Sequence, residues 1–234
     1  MVQVLSFVLP AVVVCFLLQR TCRRRMDIAQ YNYFRDLALL SVWLLSALWA
    51  GSDVSRFIVG MAVFASMAGT FQHTRPHWSW KLAYLGIGLL FAAAGPRITY
   101  FALPDGQYFY FSPWTSITVT ALWVAVFPVL LQELDNIPGM AGHLLAISFS
   151  LLFLATVFSG QDLADAFFMS LCGLAFLGVF WSRHGHMYRR IGESLTAMWG
   201  VLVAGTSILG VSKGITFSTL LLLPLGLFAI PIME

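Results

Sequence analysis

The sequence predicts an all-α fold, a polytopic membrane protein of about nine transmembrane helices with its N-terminus outside and its C-terminus in the cytoplasm. Three observations predict it. Hydrophobic residues make up 59% of the chain against 10% charged, and the mean hydropathy is +0.84, a composition foreign to a water-soluble domain of 234 residues. Long apolar stretches recur along the whole chain, each near the roughly 20 residues that a bilayer crossing needs. The basic residues, finally, gather in alternate connections between those stretches.

The first apolar stretch covers about 3–19. Its flanking charges, Arg20, Arg23, Arg24 and Arg25, follow it and nothing basic precedes it, the reverse of the order in a cleavable signal peptide, so it is expected to remain as a span. The next stretches are 36–50, which is short, then 54–71, then 80–95, which ends early at Gly95-Pro96. Further spans are expected at 114–131, 139–158, 162–181, 195–211 and 214–232. The connections are short, mostly under about ten residues, which favours antiparallel neighbours. No linker, internal repeat or low-complexity tract interrupts the series, so residues 1–234 read as a single integral membrane domain.

If the connections alternate between the two sides, one set holds Arg20, Arg23, Arg24, Arg25, Arg35, Arg75, Lys81, Arg183, Arg189 and Arg190, and the other only Arg56, Arg97 and Lys213. The richer set marks the cytoplasmic side. The net charge of +3 is thereby an orientation signal, and no nucleic-acid partner is expected, since a basic face with stacking aromatics on a soluble element is lacking. Cys15 and Cys172 fall in apolar stretches and Cys22 beside the arginines. They form no disulfide framework or CxxC motif; Cys22 reads either as a free structural thiol or as a juxtamembrane palmitoylation site.

Polar residues collect in three cytoplasmic connections. The first, from Phe71 through His73, Arg75, His77, Trp78 and Trp80 to Lys81, reads as an interfacial anchor belt or as a binding loop. The second is Gln132-Glu133-Leu134-Asp135-Asn136-Ile137-Pro138-Gly139. Its carboxylates are either solvated loop and helix-capping groups or part of a site, because acids at the membrane edge must be wet, paired or metal-bound. The third runs from Ser182 to Ser194 and sets His184 and His186 beside Arg183, Arg189 and Arg190, ahead of Glu193 at the start of a span. Arginines next to a helix start suit a phosphate or diphosphate; an anionic lipid surface would suit the same charges. A zinc site on His184 and His186 is not expected, for two such histidines leave a tetrahedral shell open.

The order and setting of these connections resemble the polyprenyl-phosphate N-acetylhexosamine-1-phosphate transferases, a glycosyltransferase family 4-like group. Trp80-Lys81-Leu82 is similar to the Trp-Lys-Leu with which that family opens a span about ten residues after an Asp-Asp pair, although the corresponding positions here are Phe71-Gln72. Thr118-Val119-Thr120-Ala121-Leu122-Trp123 leads to a stretch in which Asp135, Gly139 and Ala141 match the family's Asn-x-x-Asp-Gly-x-Asp-Gly-x-Ala, with Gln132 for the asparagine and Pro138 for the second aspartate. Gly192-Glu193-Ser194-Leu195-Thr196 resembles the family's Gly-Asp-Ser-Gly-Ser, and Leu223 to Ile232 resembles its Pro-Ile-x-Asp helix end, after which the family continues while this chain ends at Glu234.

The resemblance implies a bacterial inner-membrane protein of envelope glycan assembly that binds polyprenyl phosphate or a membrane protein partner. It further implies Asp135 and Glu193 as the surviving catalytic and Mg²⁺-binding acids if the chain is active, with Lys81, His184, His186, Arg189 and Arg190 on the substrate phosphates. Transfer of a sugar phosphate to a lipid phosphate brings two anions together and depends on Mg²⁺ held by carboxylates. With the Asp-Asp pair replaced, the expected state is a degenerate, non-catalytic, C-terminally shortened relative. The alternatives are an active Mg²⁺-dependent transferase acting on a UDP-sugar, and a structural subunit of a membrane complex.

Overall fold

A computed structural model describes residues 52–70, 77–102, 107–137, 139–158, 173 and 191–209. These residues are mostly helical. In chain order they form α1 (Asp53–Thr70), α2 (His77–Ala94), strands β1 (Tyr100–Ala102) and β2 (Tyr108–Tyr110), then α3 (Pro113–Asp135), α4 (Met140–Phe158) and α5 (Glu193–Leu209). The five helices coincide with the spans expected at 54–71, 80–95, 114–131, 139–158 and 195–211. Those expected at 3–19, 36–50 and 214–232, and all but Gly173 of 162–181, lie outside the described residues. Among the described residues two helices, α3 and α4, are long and apolar enough to cross a membrane.

Helix α3 begins where local chemistry dictates. Ser112 is extended and its Oγ accepts the Thr115 N–H at 3.3 Å, while Pro113 occupies the first helical position, where its missing N–H costs nothing. Pro128 sits inside the same helix and leaves the Val124 carbonyl without its usual helical donor, yet the helix continues to Asp135. Helices α4 and α5 each follow a glycine in the left-handed region, Gly139 (φ 79°) and Gly192 (φ 99°). Their carbonyls take the first helical hydrogen bonds, from His143 and Thr196, at 3.1 and 3.0 Å.

Helix α5 is the centre of the bundle, with every residue from Leu195 to Ile208 buried. A helix apolar on all sides needs neighbours on all sides, and α5 packs against α1, α3 and α4 while α2 packs along α3. Small residues permit the closest approaches. A side chain at Gly200 would fall 2.5 Å from the Pro128 nitrogen, and one at Gly69 2.8 Å from the Glu193 carbonyl oxygen. Close backbone contact at glycines is the packing device typical of helices in lipid, where dispersion rather than water exclusion joins them. Aromatic pairs fill the remaining space: Phe149 with Trp199 at 5.5 Å and Trp123 with Phe127 at 4.9 Å between ring centroids.

The pairings Gly69 with Glu193, Ile58 with Gly205 and Gln132 with Glu193 make α1 and α3 antiparallel to α5. The C-terminal ends of α1 and α3 therefore meet the N-terminal end of α5 at one end of the bundle. At the other end the all-α expectation omits an element. β1 and β2 pair antiparallel, with Tyr100 opposite Tyr110 and Phe101 opposite Phe109, and Phe111 donates to the Thr99 carbonyl at 2.9 Å.

Candidate functional site

Asp135, a carboxylate buried among the described residues, lies at the end where α1 and α3 finish and α5 starts. Asp135, the last residue of α3, is 8% exposed. Its Oδ1 accepts the Ile191 N–H at 2.7 Å and its Oδ2 the Gly192 N–H at 2.9 Å, so one carboxylate holds two successive amides in front of α5. These amides precede the first helical turn and have no helical acceptor, and a charged acceptor matches the positive end of the helix.

One turn earlier on α3, the Gln132 side-chain amide donates to the Tyr84 hydroxyl at 2.6 Å and to the Glu193 carbonyl at 3.3 Å, tying α2, α3 and α5 together. Tyr84 is otherwise enclosed in the core. On the α1 side the Ser66 and Ser194 hydroxyls are 2.7 Å apart, and Ser194 Oγ also reaches the Ser66 carbonyl at 3.1 Å. Toward the rim Lys81 Nζ lies 3.9 Å from Glu133 Oε1, both side chains a little under half exposed.

Of the residues singled out in the sequence, Asp135, Glu193 and Lys81 are brought to this one corner. Asp135 and Glu193 are linked through the chain, since Asp135 binds the amide of Gly192, the immediate neighbour of Glu193. Lys81 is directed to Glu133. The proposed phosphate ligands His184, His186, Arg189 and Arg190, and the Phe71-Gln72 pair, lie outside the described residues. Among the described residues no group of three or more His, Cys, Asp and Glu side chains converges as a metal shell would require.

Sequence reasoning missed Tyr84, Ser66 and the pairing role of Glu133. A hydroxyl inside an otherwise apolar helix was the available signal for the first two, because a polar group in such a helix must find a partner across the helix interface. The corner can hold a fixed backbone turn and present a mixed Lys81–Glu133 rim to the surface. Comparison of the chain with protein-family models and with curated proteins finds no match.

Proposed function

We propose that the chain is a multi-pass protein of a bacterial cytoplasmic membrane, of about nine spans with its C-terminus in the cytoplasm, and a non-catalytic relative of the sugar-1-phosphate transferases that holds the polyprenyl phosphate carrier in envelope glycan assembly. The observation that carries this reading is the double engagement of Asp135. In a transferase this acid would have to face Mg²⁺ and the phosphates, whereas here it is buried and both oxygens accept backbone amides. The replacement of the family's paired aspartates by Phe71-Gln72 supports the same reading, since loss of positioning acids lowers such rates by factors of hundreds or more.

Carrier binding draws on the basic residues that precede Ile191 in the sequence, Arg189 and Arg190 with His184 and His186, and on Lys81 at the rim. A lipid phosphate at a membrane surface is bound by such cations through charge-assisted hydrogen bonds. If the acids are active, the residues that would hold Mg²⁺ are Asp135 and Glu193.

The test is purification in mild detergent, native mass spectrometry with added undecaprenyl phosphate, and a transfer assay with Mg²⁺ and labelled UDP-N-acetylhexosamines. Retention of the lipid without turnover, weakened in an Arg189→Ala, Arg190→Ala double variant, is expected. Lipid-linked sugar phosphate that disappears in Asp135→Asn would establish an active transferase instead. A stoichiometric protein partner with no lipid retained would establish a structural subunit.

A further inference from the structure

We propose that the β1–β2 hairpin and the first turn of α3 form an aromatic anchor seated in the headgroup region of the bilayer, at the membrane face opposite the polar corner. The proposal rests on the reading of α3 as a membrane span and adds to it where the bilayer surface meets the chain.

Strand β2 is aromatic on both faces and exposed on both. Tyr108, Phe109 and Tyr110 are 59, 59 and 72% exposed, and Trp114, on the first turn of α3, is 80% exposed. Successive side chains of a strand point to opposite faces. Tyr108 and Tyr110 accordingly group with Tyr100, at 5.5 and 5.9 Å between ring centroids, while Phe109 groups with Phe111 at 5.7 Å. A ribbon with one wet face would alternate apolar with polar residues. Here the alternation is only between phenol and phenyl rings, so both faces are aromatic, and an isolated two-stranded hairpin is at best marginal in water.

The patch also continues a surface that lipid would cover. Along α3 the exposed residues include Trp114, Thr118, Leu122 and Val126, spaced every four positions and therefore one stripe down a helix of membrane-crossing length. The hairpin is joined through Phe111 and Ser112 to the end of the helix at which Trp114 stands. Its residue types fit the place: tyrosine and tryptophan pair an apolar body with a polar tip, which is why they collect at the boundary between hydrocarbon and water. The nearby cation does not oppose this placement. Arg97 turns back onto the end of α2, its Nε donating to the Ala92 carbonyl at 2.6 Å and a terminal nitrogen to that of Ala93 at 2.9 Å.

The test places a nitroxide on single cysteines introduced as Phe109→Cys, Tyr110→Cys and Leu122→Cys, in a background with Cys15, Cys22 and Cys172 changed to serine. The protein is held in nanodiscs of phosphatidylcholine and phosphatidylglycerol, and collisions with oxygen and with a water-soluble nickel chelate are measured. The label at 122 should meet oxygen and not nickel. Those at 109 and 110, on opposite hairpin faces, should meet both, with oxygen-to-nickel ratios several-fold below the label at 122 and several-fold above a label in bulk water. A bulk-water ratio at 109 or 110, with 122 still in lipid, overturns the anchor alone. Immobilised labels shielded from both colliders mean that protein covers the hairpin, and also overturn it. Nickel access at 122 removes the span and the anchor with it.

Discussion

Asp135 and Gly192 are joined by a 2.9 Å hydrogen bond from the glycine N–H to one carboxylate oxygen, while the other oxygen takes the preceding amide of Ile191 at 2.7 Å. The carboxylate thus fixes the turn at which α5, the buried centre of the bundle, begins. Hydrogen bonds to a charged acceptor contribute about 1.5–3 kcal/mol each. Asp135→Ala should therefore destabilise the protein by about 3 kcal/mol. Asp135→Asn is not conservative, because its amide nitrogen would face one of two donors, and about 2 kcal/mol of loss is expected. Thermal unfolding in detergent without substrate checks this; unchanged melting in both variants would contradict the clamp.

Glycine substitutions should separate by what a Cβ would meet. At Gly200 the obstacle is the Pro128 backbone, with the nitrogen at 2.5 Å and the Cα at 2.6 Å, so Gly200→Ala must push two helices apart. A loss of about 1–3 kcal/mol is expected from overpacking. At Gly142, inside α4, nothing lies within 4 Å. Alanine there gains helix propensity of up to about 1 kcal/mol. Parallel melting curves should move in opposite directions.

The Trp123 indole N–H donates to Ser207 Oγ at 2.9 Å, and the Ser207 hydroxyl donates to the Ala204 carbonyl at 2.7 Å. Both residues are buried. Side-chain hydrogen bonds between helices in membranes average about 0.6 kcal/mol. A double-mutant cycle with Trp123→Phe and Ser207→Ala should return a coupling of about 0.5–1.5 kcal/mol. Strict additivity would show that this contact carries no energy.

Much of the helix placement is legible in the sequence because apolar length alone decides it, as for 139–158 and Met140–Phe158. Apolar length fails where a helix outlives its apolar run. α3 outlasts the apolar stretch 114–131 and continues to Asp135, carrying Gln132 and Asp135 inward on its last turn, where they bind across to α2 and to the start of α5. On that last turn Asp135 accepts the two amides that precede α5. The hairpin was illegible for a different reason. Its strands are three residues each, too short for alternation to register. The Pro104-Asp105-Gly106 run between Tyr100-Phe101 and Tyr108-Phe109-Tyr110 was the available turn signal.

Lys81 and Glu133 form the rim of the polar corner at 3.9 Å, each side chain a little under half exposed. A pair this long and this wet contributes little, because water screens the attraction and two flexible side chains must be ordered to keep it. Glu133→Gln should change stability by less than about 0.5 kcal/mol. If Lys81 serves lipid phosphate, the same variant should tighten retention of undecaprenyl phosphate by releasing the ammonium from its carboxylate, and Lys81→Gln should weaken it. Equal retention in all three proteins would remove Lys81 from the binding surface.

The 23 residues of α3 extend about 34 Å at 1.5 Å per residue, enough to cross a hydrocarbon core of about 30 Å. Gln107 precedes the helix beside the aromatic hairpin and Asn136 follows it beside the polar corner; both are exposed. In the proposed orientation, taken from the basic residues, the Asn136 side is cytoplasmic. Single cysteines at Gln107→Cys and Asn136→Cys, in a background lacking Cys15, Cys22 and Cys172, should therefore react with a membrane-impermeant maleimide from opposite sides. The cysteine at 107 is expected to react in right-side-out vesicles, and that at 136 only in inverted ones. Reaction of both from one side would deny α3 a crossing, and the reversed pattern would invert the orientation that the arginines predict.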